Sequence, residues 1–284
     1  MFDLHIHTTH SSDGQHSPSE ILVMAKHKGL AGLAFTDHMD IEAAVEGTRI
    51  SRECGLQFFT GVEISTSSWG REYHLLLYGF RPDDPMLAGF LRESCRAIWA
   101  RATDTLKIFT RRGFDVRRED ITGWGTSVPT GVTLLNALLR RNRGDRRLQA
   151  YLEGPKASSP YLNFYQDHAL DDIGDTVLSA LPDLVETIRS FRGRGILVLA
   201  HPGDADRAFI QGLKEEGLRG IEAYSTHHHL LQAERLVDDA RSLDLWVSAG
   251  SDFHGEHIKP GIRIGDCPGR PDEGFLEALA GFAA

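Results

Sequence analysis

Short apolar runs recur along the chain at Phe2–His7, Gly32–Thr36, Gln57–Val62, Glu72–Phe80, Gly195–Ala200, Gly220–Tyr224 and Leu245–Ala249. Runs of this length read as strands. Amphipathic stretches with helical spacing separate most of them, and that alternation predicts an α/β fold with a parallel sheet. The punctuation is clearest after the first run. Ser17-Pro18-Ser19-Glu20 is a capping box with proline at the first helical position, and Gly29 supplies the stop.

The rhythm breaks after Phe80. From Pro82 to Pro182 the pattern is mainly helical: one long helix or two over Asp83–Arg112, then shorter ones at Val132–Arg141 and Asp145–Leu152. Alternation resumes with a helix near Pro182. Seven strands interrupted in this way fit a barrel, residues 1–81 and 183–284, carrying an inserted helical cap, residues 82–182.

Composition narrows the setting. A chain of 284 residues can bury a full core without disulfides. No apolar run reaches the ~20 residues that span a bilayer, and the strand pattern beginning at Phe2 leaves no room for a signal peptide. Cys54, Cys95 and Cys267 are far apart and odd in number, which speaks against a disulfide framework or a Cys-rich zinc site and for a reducing, cytoplasmic setting. The net charge of −9 argues against broad nucleic-acid binding. Yet Arg92–Arg147 holds 13 Lys/Arg against 6 Asp/Glu, so an acidic body surrounds a basic middle. That distribution suits cations in the body and an anionic substrate under the middle.

The strand ends carry the chemistry. The first run holds His5 and His7, two apart and so on one side of a strand, followed by Asp13. Later runs end in Asp37-His38, in Glu63, in His201, in Glu222 and in Asp252-Phe253-His254, and the fourth begins near His74. In barrels of parallel strands, catalytic groups gather at the carboxyl rim. Imidazole and carboxylate ligands without thiolates suit zinc, manganese or iron(II). Isolated histidines are commonly packing or surface residues, but six strand ends carrying His, Asp or Glu favour a metal site. A water bridging such cations loses a proton near neutral pH, and that hydroxide is the expected nucleophile. No serine or cysteine stands out for the part.

The motifs Asp3-Leu4-His5-Ile6-His7-Thr8, Ser12-Asp13-Gly14, Thr36-Asp37-His38, Gly61-Val62-Glu63-Ile64-Ser65, Ala200-His201-Pro202-Gly203 and Gly250-Ser251-Asp252-Phe253-His254 resemble, in order, those of the PHP (polymerase and histidinol phosphatase) family. The resemblance implies a distorted (β/α)7 barrel with two or three divalent ions, Mn, Fe or Zn, at its rim. It implies one metal on His5, His7, Glu63 and Asp252, and a second sharing Glu63 and adding His74 and His201. A third would take Asp13, His38 and His254. Asp37 would support rather than ligate, and Asp3 would hold the first strand end. The relatives it points to dephosphorylate nucleoside bisphosphates, trim RNA 5′ ends, or open and hydrolyse cyclic sugar phosphates.

The cap departs from the pattern. Where capped relatives carry Thr-Arg-x-His, this chain has Pro129-Thr130-Gly131-Val132. Lys156, Arg140, Arg141 and Arg143 are the candidates to replace the missing phosphate contact, since guanidinium and ammonium groups suit phosphate oxygens. His227 and His228, in the run Tyr224–His229, are candidates for a phosphate contact or a general acid. A helix N-cap at Ser225 or Thr226 is the plainer account of that run. His10, His16, His27, His168 and His257 match no motif and read as structural or exposed. The expected activity is hydrolysis of a small phosphorylated substrate. Cyclic phosphate dihydrolysis and trimming of short RNA are the alternatives; for RNA, stacking platforms are limited to Trp99 and Trp124. A non-catalytic regulatory module is the rival from another class, and the filled ligand positions argue against it.

Overall fold

A computed structural model of the protein describes residues 1–121, 128–158, 160–169 and 177–282. Strands β1 (Phe2–Asp3), β2 (Gly32–Phe35), β3 (Gln57–Ser68), β4 (Arg71–Tyr78), β5 (Ile196–Leu199), β6 (Gly220–Ser225) and β7 (Trp246–Gly250) form one sheet in sequential order. The sheet closes on itself: Leu4 N–H donates to Ala249 O at 3.1 Å, and Ile6 bridges Phe253 in parallel. The strand joins are as the apolar pattern places them, except that β3 runs on to Ser68 and the regular part of β1 stops at Asp3.

The expected parallel sheet holds for β1–β3 and for β5–β7, but β4 runs antiparallel to both neighbours. The reason is local. Trp69 and Gly70 both have positive φ, 48° and 71°, and form a two-residue hairpin between Ser68 and Arg71. A connection that short cannot make the crossover that a parallel strand needs. The start of β4, rather than its end, therefore meets the carboxyl rim, and His74 comes with it.

Helices α1 (Pro18–Lys28) and α2 (Glu42–Cys54) follow β1 and β2; α7 (Leu184–Phe191), α8 (Arg207–Glu216) and α9 (Leu230–Ser242) separate the later strands. The capping box opens α1 as expected, with Ser17 and Glu20 satisfying each other's backbone N–H, and Gly29 ends it at φ 77°. Strand alternation divides the core. Leu76 and Tyr78 point into the barrel with Leu4, Ala34, Phe59 and Val198, where Phe275 and Leu279 of α10 (Glu273–Phe282) pack against them. Leu75 and Leu77 point outward against α7 and α8.

Between β4 and β5 lie α3 (Pro85–Arg111), α4 (Gly131–Arg141), α5 (Arg146–Gln149) and α6 (Pro160–Ala169). The apolar pattern left open one helix or two at α3; it is one, of 27 residues. Its first half, at Leu91 and Ile98, belongs to the barrel's outer core, and its second half, from Ala102 to Phe109, to a separate cluster with Leu135, Leu138, Leu148 and Phe164. This stretch touches the loops at the barrel rim. Ser12 Oγ donates to Val128 O at 2.7 Å, Thr133 Oγ1 donates to Ser12 Oγ at 3.0 Å, and Ser67 N–H donates to Pro182 O at 2.9 Å.

Candidate metal centre

His5 and His7 flank Ile6 on extended chain beyond β1. Ile6 turns into the apolar cluster under α1, which leaves both imidazoles facing the rim. There they meet Glu63 from β3. Its Oε2 lies 3.2 Å from His5 Nε2, 3.0 Å from His7 Nε2 and 3.1 Å from His38 Nδ1. Its Oε1 lies 2.9 Å from His74 Nδ1 and 3.2 Å from His201 Nε2. Asp252 Oδ1, beyond β7, is 3.4 Å from His5 Nε2, 3.2 Å from His7 Nε2 and 3.4 Å from His254 Nδ1. Asp13 Oδ2 stands 3.6 Å from His38 Nε2 and 3.8 Å from His254 Nε2. Groups of ligand atoms lying within 4.8 Å of one another include His7, Asp13, His38 and His254; His5, His7, Glu63 and Asp252; and His38, Glu63 and His74.

These side chains fit cations better than they fit each other. Asp13 Oδ1, His38 Nδ1, Glu63 Oε2 and Asp252 Oδ1 are buried with no hydrogen-bond partner. Among the described residues only Ser248 Oγ shares that condition. Leaving buried polar atoms unpaired is costly, and several of them gathered among imidazoles and carboxylates fit a cation site. Burial works against charge on Glu63, yet His5, His74 and His38 hold its carboxyl well below the usual range. Asp252 is held low in the same way, against burial, by Lys259, His254 and His5. Burial, with neighbouring cations, pushes His38 and His254 well below the ordinary imidazole range, so each keeps a lone pair for a ligand bond. His5, despite its burial, is raised well above that range by Glu222, Glu63 and Asp252. A cation arriving there would take the place of its proton.

A second set of residues aims the first. Glu222 Oε1 meets His5 Nδ1 at 2.9 Å, which turns Nε2 towards Glu63, while its Oε2 accepts the His201 N–H at 2.9 Å. Ser11 Oγ lies 3.0 Å from His7 Nδ1 and accepts the His38 N–H at 2.9 Å. Asp37 spends both oxygens on the loop, accepting from Thr8 N–H, Thr8 Oγ1 and Ser11 N–H at 2.7, 2.9 and 3.0 Å. Asp3 accepts from Ser251 N–H, Ser251 Oγ and Gly265 N–H, which ties the end of β7 to β1. Gly250 has to be glycine, because a Cβ there would stand 2.2 Å from His5 Cβ and 2.7 Å from Glu222 Oε1. Met39, His201 and Asp252 adopt positive φ of 56°, 25° and 53°, a strained backbone for residues with side chains, and all three lie at this rim.

The sequence profile of the PHP domain matches residues 3–82, the stretch that supplies His5, His7, Asp13, His38, Glu63 and His74. This part of the chain is similar to a PHP domain. Similar proteins include the phosphoribosyl 1,2-cyclic phosphate 1,2-diphosphodiesterase of Eggerthella lenta, 27% identical over 89% of this chain and 94% of that protein. The 5′-3′ exoribonuclease of Haemophilus influenzae is 27% identical over 89% of each. The 3′,5′-nucleoside bisphosphate phosphatase of Chromobacterium violaceum is 26% identical over 89% of this chain and 86% of its own. In fold, a protein of Bifidobacterium adolescentis superposes with a TM-score of 0.80 at 22% identity, covering 100% of this chain and 96% of that one.

Outside the cluster the sequence expectations fare differently. Lys156 pairs with Asp167 beside Tyr151, Arg140 donates to Asp120 O at 2.8 Å, and Arg141 meets Asp115 at 2.9 Å. Lys156, Arg140 and Arg141 are thus tied to carboxylates and a carbonyl of the same helical stretch. Arg143 is exposed. His228 is buried with both nitrogens engaged, Nδ1 with Ala223 O at 2.9 Å and Nε2 with Gly203 N–H at 3.1 Å. It latches the loop after β5 to β6 and has no proton to offer as an acid. His227 does reach the centre, with Nε2 2.6 Å from Asp252 Oδ2. The N-cap expected at Ser225 or Thr226 falls instead on His229, which opens α9. Trp124 lies outside the described residues.

Two contributors were given no role in the sequence reading, although Glu222 was noted there at the end of its strand. Glu222 stands at a strand end like the others, and that position was its signal. Lys259, which pairs with Asp252 Oδ2 and lies 3.2 Å from His227 Nε2, sits in an irregular loop and gave none.

Proposed function

We propose that the protein is a metal-dependent phosphoesterase that hydrolyses a small phosphorylated substrate, with residues 82–182 acting as a cap over the barrel rim. The observation that carries the reading is the set of four unpartnered, buried ligand atoms, drawn from separate parts of the barrel, that belong to adjoining groups of potential metal ligands at its rim. The donor set is nitrogen and oxygen only. The Cys267 thiol is raised by burial and by Asp3, and stays protonated.

His5, His7, Glu63 and Asp252 would hold one cation; Glu63, His74 and His201 a second; Asp13, His38 and His254 a third. Bound divalent ions supply an acidic water and offset the charge of phosphate oxygens. The chain does the rest. Glu222 and Ser11 fix the imidazole orientations, Lys259 and His227 hold the outer oxygen of Asp252, and burial excludes bulk water from Glu63. The cap reaches the loop that carries Asp13, because Ser12 is clasped by Val128 and Thr133. The substrates named for the three relatives all carry phosphate on a pentose, and we assign that class here.

The test is phosphate release by manganese-supplemented protein from nucleoside bisphosphates, pentose phosphates, cyclic pentose phosphates and p-nitrophenyl phosphate. Turnover of at least one that vanishes in Glu63→Gln supports the reading. No release from any of them, with metal bound, would overturn it.

A further inference from the structure

The centre is not equally buried all round. The side chains of His74, His201, His227 and Lys259 are 17% to 38% exposed, whereas the remaining ligands proposed for the cations are at most 8% exposed. A substrate arriving from solvent meets these four side chains first.

One group of potential ligands on this side differs from the others. His201, His227 and Asp252 bring ligand atoms within 4.8 Å of one another, but here the chain supplies a cation of its own. Lys259 Nζ pairs with Asp252 Oδ2 and lies 3.2 Å from His227 Nε2. Asp252 is thereby divided. Its Oδ2 takes Lys259 and, at 2.6 Å, His227, while its Oδ1 has no hydrogen-bond partner. Among the described residues Lys259 is the one lysine or arginine that pairs with a carboxylate of the centre.

Holding a carboxylate in place needs only a hydrogen bond, and His227 supplies it. An ammonium does more, because it competes with divalent ions for the charge of the carboxylate. What it offers in return is three N–H donors and a positive charge on a flexible stem, which suit a phosphate oxygen. The loop lets that stem move by itself. Lys259 N–H donates to Gly255 O at 2.9 Å and Ile262 N–H donates to Lys259 O at 3.2 Å, so short turns fix the backbone on both sides of the side chain.

Resting on the phosphoesterase reading, we propose that Lys259 is the side chain that grips the scissile phosphate. Its ammonium alternates between two anions, Asp252 Oδ2 and an oxygen of the phosphate. Cations on the carboxylate favour the second, and His227 keeps hold of Oδ2. Metal and ammonium therefore oppose each other at Asp252, whereas ammonium and phosphate support each other.

Those opposite signs separate this role from a structural one. Lys259→Met keeps a stem of similar length and removes the charge. Isothermal titration of this variant with manganese should give an affinity equal to that of wild type or tighter. Titration of the manganese-loaded variant with inorganic phosphate should give an affinity about tenfold weaker. Lys259→Arg restores the charge and should recover part of the phosphate affinity. The Tm of both variants in chelator should match wild type, because Lys259 lies outside the apolar core. Weaker binding of manganese and phosphate together in Lys259→Met would mean that the lysine only holds Asp252, and would overturn the proposal. Unchanged phosphate affinity in that variant, no recovery in Lys259→Arg, or no phosphate binding by loaded wild type would overturn it as well. Neither titration needs turnover. If wild type binds phosphate but releases it from no ester, the phosphoesterase reading fails and the titrations still decide the part of Lys259.

Discussion

At the scale of single residues, the centre is held by two kinds of side chain that fail differently. Glu63 touches five imidazoles and Asp252 four, so each neutralises a site rather than a neighbour. Glu63→Gln or Asp252→Asn should abolish turnover and lower bound metal while the circular dichroism spectrum stays native, because the apolar core does not involve them. Unchanged metal content by elemental analysis would count against the assigned cluster. Glu222 acts at one remove. Glu222→Gln keeps the shape but weakens the hold on His5 Nδ1, and loss of such an orienting partner typically lowers metal affinity or activity about 10- to 100-fold. Isothermal titration with manganese checks this; wild-type affinity would assign Glu222 a purely structural part.

At the scale of elements, each piece of chemistry is carried by an ordinary structural device. The β3–β4 hairpin reverses the chain so that His74 returns to the rim beside Glu63, and Thr133, in the first turn of α4, clasps Ser12. The start of α1 is far simpler, a local capping box with no contact to the cluster. Ser17→Ala should cost about 1 kcal/mol, lowering Tm by a few degrees with metal content and turnover unchanged. Gly250→Ala is the opposite case. The added Cβ would displace His5 or Glu222, so it should reduce metal binding more than it reduces Tm, and a larger effect on Tm would mean that the strand absorbs the clash by unfolding. The sequence located nearly every strand and the α1 caps because these rest on period and punctuation within a few residues. It left the hairpin unread, since Trp69-Gly70 is not a turn pair that commits a chain by itself, and it did not single out α6 within the helical stretch.

At the scale of the whole molecule, the closed sheet brings carboxylates and imidazoles from both ends of the chain together in a buried site, a charge arrangement that a cation stabilises. A metal that binds the folded protein and not the unfolded one stabilises the fold, so manganese at a hundred times its dissociation constant should add about 2.7 kcal/mol for each independent site. A chelated sample should melt at a lower temperature and recover on adding metal, with more than one equivalent taken up per chain; a Tm indifferent to chelator would argue against the centre. No described helix is long and apolar enough to cross a membrane. What the sequence by itself determined is the placement of His, Asp and Glu at successive strand ends, because strand period and strand order are local properties and a barrel delivers all its strand ends to one rim. What only the tertiary structure decided is which groups meet across the chain. Glu222 finds His5 from 217 positions away, Lys259 finds Asp252 from an irregular loop, and the cations of the helical stretch divide into those claimed by its own carboxylates and those left exposed. Charge can be counted along a sequence, but whether a charge is already neutralised depends on distance, and distance exists only once the chain has folded.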